Sequence, residues 1–498
     1  MNVSPSFNQF SRAKYALCAL AAATLAIGIG AAIGLTGMVG AVGVLGIPVA
    51  IALLAGVLAE PRFGLLLYVH ASFLLGFSRF LPPSDFPVGL VIDGILVVTL
   101  LSTFFHGKRM AWERLGRPGF LLIAAWFGYT LLEFFNPEAP YRMAWFAHIR
   151  AISLHWLLAA LLALVIPVTR RDLRVLIGSW LVWSVFAAFW AYKQHYIGLA
   201  DSEVDWLNLG NDKTHVLFGH LRCFSFYSDA SQFGAEMAGV TLVCLIGLFE
   251  ERTWWRRGIA LVLAGLCFWA FALSGTRSAL FVLIAGYGFY LVVKRDVVKL
   301  ILGSVVSGFV FVLLMFTYLG QSNYQVARIR SALRPLEDPS FMVRLENQQK
   351  LAAYLKPLPF GAGIGTSSDA GLKYSPQHFA AQIPPDSWLV ELWIETGIVG
   401  VSLYVLMLLT FITIGVVKVS RLNDPRLKVI MTALLAEFVG IAVMGYSNPV
   451  LGQFPTSSLI FINSVLFTTC DRWDTQPDRW EMPEKNVPET PRHAHILE

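Results

Sequence analysis

Residues 258–293 read GIALVLAGLCFWAFALSGTRSALFVLIAGYGFYLVV, an apolar run interrupted by one full charge, Arg277. At 1.5 Å per residue a helix needs about 20 residues to cross the hydrocarbon of a bilayer, so this run is long enough for two crossings. Ser274-Gly275-Thr276-Arg277 supplies the break. The stretch therefore predicts two membrane helices joined by a tight hairpin, with Arg277 at its mouth.

The rest of the chain repeats the pattern. Of its 498 residues, 56% are hydrophobic and 14% charged, whereas a soluble domain carries about a quarter charged residues. The expected fold class is all-α, a polytopic membrane protein with about 12–14 transmembrane helices and a large helical loop outside the membrane. Spans are expected near 15–35, 38–58, 63–80, 88–105, 119–134, 146–167, 175–197, 229–248, 258–274, 278–293, 300–318, 388–416, 429–446 and 456–470. The first is too long for a signal-peptide core and is followed by further spans, so it reads as an uncleaved helix. Cys18, Cys223, Cys244, Cys267 and Cys470 share no metal-ligand spacing, so neither a disulfide framework nor a zinc site is expected.

The net charge of +6 matters less than where the cations lie. With residues 1–14 in the cytoplasm, the short connections HGKRMAWERLGR (106–117), VTRRDLR (168–174), ERTWWRR (251–257), KRDVVK (294–299) and VKVSRLNDPRLK (417–428) all face inward. That is the positive-inside pattern. Residues 15–318 then hold helices 1–11 with an outer loop at 198–228, residues 319–387 form the large outer loop, residues 388–470 the last spans, and residues 471–498 a polar, Pro-rich cytoplasmic tail expected to be disordered.

Cations on the outer face stand out against this rule. Arg222 precedes the eighth span, Arg277 occupies the hairpin, and the long loop adds Arg328, Arg330, Arg334, Arg344, Lys350, Lys356 and Lys373. Guanidinium pairs with phosphate oxygens in a bidentate fork, so two arginines at helix mouths suit a phosphate-bearing ligand; snorkelling toward lipid headgroups is the plainer alternative. Within the loop, FMVRLENQQKLAAYL reads as an amphipathic helix with Phe341, Leu345, Ala352 and Leu355 on one face. Gly361, Gly363 and Gly365 follow in a turn whose N–H groups could meet a phosphate or simply form a loop. Asp386 and Ser387 then open a long helix, where either residue can cap. Glu391 and Glu395 lie on that helix as costly intramembrane carboxylates, and Gly397 and Gly400 suggest close helix packing. Asp201, Glu203, Asp205 and Asp212 resemble a cation cluster but read better as solvated acids; His220 and His378 are further candidate bases.

Four ordered stretches, RCFSFYSDASQFG (222–234), LSGTRSALFVLIAG (273–286), RLENQQKLAAYLKPLPFGAGIG (344–365) and PPDSWLVELWIETGIVG (384–400), resemble the bacterial O-antigen ligase and polymerase superfamily. The resemblance spans residues 220 to 410. It implies a glycosyltransferase of the bacterial inner membrane that moves glycan from an undecaprenyl-diphosphate-linked donor to a glycan or lipid acceptor hydroxyl at the periplasmic face. Its partners would be that donor, that acceptor and membrane lipids, with no nucleic acid. The family's two pyrophosphate-binding arginines match Arg222 and Arg277, its loop arginine matches Arg344, and its glutamate matches Glu395. Ligases usually carry a histidine where this chain has Asp386, so the resemblance favours a polymerase, with a ligase as the alternative. An inverting mechanism is expected, with Asp386 as base, the arginines neutralising the leaving group, and no metal or cofactor. A transporter or flippase is the rival of another class, but no internal repeat supports it and the candidate charges gather on one face.

Overall fold

A computed structural model of the chain describes residues 38–80, 88–217, 219–295 and 339–474, with scattered positions between 298 and 330. The spans expected at 15–35 and 300–318, Cys18, Arg328, Arg334 and the tail beyond 474 lie outside the described residues, the second of these spans in large part.

The described chain is helical. Its only strands there are the two-residue pair β1 (Val216–Leu217) and β2 (His220–Leu221), antiparallel. Among the described residues, nine helical segments are long and apolar enough to cross a membrane: Pro61–Phe80, Pro118–Phe135, Arg142–Val165, Arg170–Ile197, Ala230–Glu250, Trp254–Leu273, Arg277–Lys294, Trp388–Ser420 and Pro425–Met444. Gly46–Ala59, Gly89–Phe105 and Thr456–Thr468 are shorter apolar helices. The protein is thus an all-α polytopic membrane protein.

For the site, five elements matter: α1 (Arg142–Ile149), α2 (Ala230–Glu250), α3 (Trp254–Leu273), α4 (Leu280–Lys294) and α5 (Trp388–Ser420), joined by α6 (Pro425–Met444). Helices α2 and α6 form the centre of the bundle, buried along most of their length. Small residues make that possible: a Cβ on Gly286 of α4 would fall 2.8 Å from the Ala436 carbonyl of α6, the close backbone approach that drives helix association in lipid.

The basic connections gather at one end. Arg170 pairs with Asp424 at 2.7 Å and donates from Nε to the Trp473 carbonyl at 3.0 Å. Lys418 and Arg117 both reach Asp471, at 2.8 and 3.4 Å. Trp473 is buried and donates to the Val168 carbonyl, so the polar tail begins as ordered structure through Asp474. At the opposite end lies the expected hairpin, with α3 ending at Leu273 and a single 3-10 turn, Arg277–Ala279, leading into α4.

Helix α5 differs from the expected unbroken span. Within α5, Gly397 adopts φ 65° and ψ −171°, a break. Such a conformation is open almost exclusively to glycine. The reason lies in the preceding loop: Val399 N–H donates to the Pro359 carbonyl (3.2 Å), and a Cβ at 397 would sit 2.1 Å from that same oxygen. Gly400 does pack closely, its would-be Cβ 2.9 Å from the Tyr129 ring.

Candidate active site

Arg222 reaches its place through a buried acid. Glu203 is fully buried rather than solvated, while Asp201, Asp205 and Asp212 stay exposed, so the four share no common centre. Burial alone would raise the Glu203 carboxyl's pKa. The Ala200 N–H (2.7 Å), Lys193 (2.9 Å), Trp190 (2.9 Å) and Gln194 (2.7 Å) outweigh it and hold the group below the usual glutamate range. Gln194 in turn accepts the N–H groups of Phe224 (3.2 Å) and Ser225 (2.8 Å) with its own oxygen. The chain just after Arg222 is thereby locked to the bundle.

Arg222 lies against the hairpin. Its Nε donates to the Ser274 carbonyl (3.2 Å), Nη1 to the Thr214 carbonyl (2.9 Å), and Nη2 to the hydroxyls of Ser231 (3.2 Å) and Thr276 (2.9 Å). At least four of the five N–H donors of the guanidinium are therefore committed to protein acceptors. The charge is held in a fixed orientation against Thr276, the residue before Arg277. Gly234 lets the hairpin seat here, since a Cβ would meet the Ser274 hydroxyl at 2.5 Å.

Asn448 carries the contact onward. Its side-chain amide donates to the hydroxyl of Ser278, next to half-buried Arg277, and its carbonyl accepts the Trp388 N–H at 3.4 Å. Trp388 begins α5, and Ser387 is the N-cap, its hydroxyl accepting from the Val390 N–H at 3.3 Å. With Ser387 capping, Asp386 is free of that duty. It takes the left-handed φ of 54°, which aspartate tolerates better than most residues. Its carboxylate stands 3.9 Å from the Arg344 Nε. Burial pushes the Asp386 carboxyl above the usual aspartate range, and the Arg344 guanidinium offsets part of that rise.

The helix bearing Arg344, α7 (Pro339–Leu355), packs differently from the expected face. Leu351 and Leu355 are buried against Val390 and Ile394 of α5, while Ala352 is exposed. Met342, Val343 and Leu345 remain largely exposed near its start. Lys350 pairs with Glu346 one turn away, at 2.8 Å.

The glycine turn does not offer a phosphate cradle. The N–H groups of Gly361, Ala362 and Gly363 donate to the carbonyls of Leu358 (3.0 Å), Ile394 (2.7 Å) and Glu395 (3.1 Å). Gly361 is glycine because a Cβ would strike the Gly397 nitrogen at 2.5 Å, and Gly363 because one would strike Ala139 at 2.6 Å. Of the other candidate bases, His378 caps the turn Phe379–Gln382 by accepting the Ala380 N–H at 3.2 Å, and burial lowers its pKa. His220 lies exposed on β2.

Sequence reasoning missed His148. It faces Glu391 and Glu395, with Nε2 3.2 and 3.5 Å from their oxygens. It also missed Asp93, which pairs with Arg150 (3.0 Å) and His155 (2.6 Å), and the buried Glu236 and Glu437 of α2 and α6. One signal was present: each is an ionisable residue inside an apolar run, costly unless paired or functional.

Residues 259–405, which contain Arg277, Arg344, Asp386 and Glu395, match the family model described as O-antigen ligase. No curated protein matches the chain. The hairpin, the arginine-bearing loop and the Asp386 turn all lie within that matched stretch, and the match supports the O-antigen ligase and polymerase superfamily for this part of the chain.

Proposed function

We propose that the protein is an inverting membrane glycosyltransferase that polymerises glycan repeats from an undecaprenyl-diphosphate-linked donor at the periplasmic face of the bacterial inner membrane. The observation that carries this reading is the hydrogen-bonded seam running from Arg222 through Thr276 and the hairpin to Asn448 and the Asp386 turn. It supports a site in which Arg222, Arg277 and Asp386 act together, since each is on, or next in sequence to, a residue of that seam.

In the reaction, the acceptor hydroxyl oxygen attacks the anomeric carbon and the bond from that carbon to the diphosphate oxygen breaks. The hydroxyl proton passes to Asp386, a general base once ionised. Negative charge appears on the departing diphosphate, where Arg277 and the fixed charge of Arg222 stabilise it without reorganisation. One displacement and no covalent intermediate invert the anomeric centre. Arg344, 3.9 Å from Asp386, favours the ionised form of that carboxyl against the burial that raises its pKa, and adds a cation to the diphosphate side.

The second reading is a ligase joining glycan to a lipid A core; the description of the matched family favours it, while the aspartate at position 386 favours a polymerase. Purified protein incubated with lipid-linked repeat units, with and without a lipid A core acceptor, separates them. A ladder of repeats without core is the polymerase outcome; a single transfer that needs core is the ligase outcome. No product in either arm, from correctly folded protein, refutes both.

A further inference from the structure

A second cluster of ionisable groups lies apart from the acid–base seam. Glu391 and Glu395 are four residues apart on α5, so their side chains share one face. His148 projects toward them from α1. Its Nε2 stands 3.2 Å from Glu391 Oε1 and 3.5 Å from Glu395 Oε2, and all three ligand atoms lie within 4.8 Å of one another.

The two imidazole-to-carboxylate separations match edges of a coordination polyhedron. Nitrogen and oxygen ligands sit about 2.1 Å from a first-row divalent ion, which sets ligand-to-ligand edges of about 3.0 Å in octahedral and about 3.4 Å in tetrahedral geometry. The electrostatics agree. The carboxyl side chains are 6% and 0% exposed. With both carboxyls ionised, a neutral imidazole leaves two buried negative charges and an imidazolium leaves one, whereas a divalent cation balances the pair.

An independent observation points to the same spot. Glu395 Oε2 and His148 Nε2 are buried and make no well-aligned hydrogen bond, their nearest polar contacts being those within the cluster itself. The other Glu395 oxygen is occupied, accepting from the Ser367 N–H (3.3 Å) and hydroxyl (2.8 Å), and Glu391 Oε1 accepts from the Ser368 hydroxyl at 2.6 Å. Carboxylates oriented by outer hydroxyls, with a bare oxygen and a bare ring nitrogen turned inward, are arranged as supported metal ligands are.

We propose that His148, Glu391 and Glu395 form a binding site for one first-row divalent cation of the zinc or manganese class. One imidazole and two carboxylates suit such ions better than calcium, which takes oxygen ligands in larger number. The ion joins α1, the first segment of α5 and the Ser367–Ser368 turn, three elements that already meet through these side chains. It acts as a staple, and glycan transfer does not pass through it.

The test uses the full chain, purified in detergent with a histidine-free affinity tag and no chelator, then equilibrated with zinc or manganese and gel-filtered. Metal content is read by mass spectrometry and stability by tryptophan fluorescence on heating. Wild-type protein should retain about one equivalent of zinc or manganese, and stripping it should lower Tm, because the ion binds only the folded state. Glu395→Gln and His148→Ala should lose the metal, and a chelator should then leave their Tm unchanged. Glu391→Gln serves as a third variant if His148→Ala does not fold. Wild-type protein that retains neither ion, or variants that retain it as well as wild type, would overturn the assignment and leave an imidazolium held between carboxylates. Metal content is measured without turnover, so failure here is distinct from failure of the transferase reading.

Discussion

Replacing Arg222 with lysine tests whether this arginine is a fixed part of the site or a headgroup anchor. Lysine keeps the charge but not the fork. Arg222 donates to the carbonyls of Ser274 and Thr214 and to the hydroxyls of Ser231 and Thr276. Ser274 and Thr276 are buried, whereas the Thr214 contact is exposed and counts for little. A single ammonium cannot span both buried acceptors, and each one left unsatisfied costs about 1–1.5 kcal/mol, or about 2–3 kcal/mol for the pair. That strain falls on the hairpin that presents Arg277. If about half of it reappears in the transition state, the rate drops roughly tenfold, at about 1.4 kcal/mol per decade. The assay is the initial rate of ladder growth by purified protein, with Tm measured in parallel. Thr276→Val completes a double-mutant cycle, because Thr276 accepts from Arg222 and donates to the Ala230 carbonyl at 2.9 Å. The two changes should be less than additive, since they remove one shared contact. A lysine variant with full rate and Tm, or a strictly additive cycle, would refute the reasoning and leave Arg222 as a snorkelling residue.

Asp386→Asn should abolish transfer in the sized-product assay. In wild type the base works only when ionised, and burial raises its pKa, so the acid limb of the rate profile should lie above the ordinary aspartate value of about 3.9. Arg344→Ala removes the offsetting cation and should move that limb to higher pH; an unmoved limb would assign it to another group. A raised acid favours the fold below its unfolded pKa and loses that contribution as pH rises through the folded one, so Asp386→Asn should slightly raise Tm at neutral pH. Glu203 has the opposite sign. Its lowered pKa contributes stability above the unfolded value of about 4.3 that disappears as pH falls through the folded one, and Glu203→Gln should flatten that acid limb of Tm against pH. Gly397→Ala must hold alanine in a glycine-only conformation, about 1–3 kcal/mol of strain before the clash with the Pro359 carbonyl. Its Tm should fall by several degrees, while Gly128→Ala, with nothing within 4 Å, should be silent; equal Tm values for both would contradict the break.

Membrane insertion, helix boundaries and the hairpin at Ser274–Arg277 follow from apolar run lengths, because the transfer of a side chain to lipid is a local property of the residue. The same local reasoning places Arg222, Arg277, Arg344 and Asp386 near helix ends. It fails where partners are distant in the chain. Gly397 looks like a packing glycine until the Pro359 carbonyl is brought against it, and Glu203 looks solvated until Trp190, Lys193 and Gln194 close around it. His148 is one imidazole in an apolar stretch, and only the docking of α1 against α5 gives it two carboxylates. Sequence alone thus determined which segments enter the membrane and which charges are costly there. Tertiary structure decided how those charges are neutralised, because a buried ion's energy depends on its neighbours in space rather than on its neighbours along the chain.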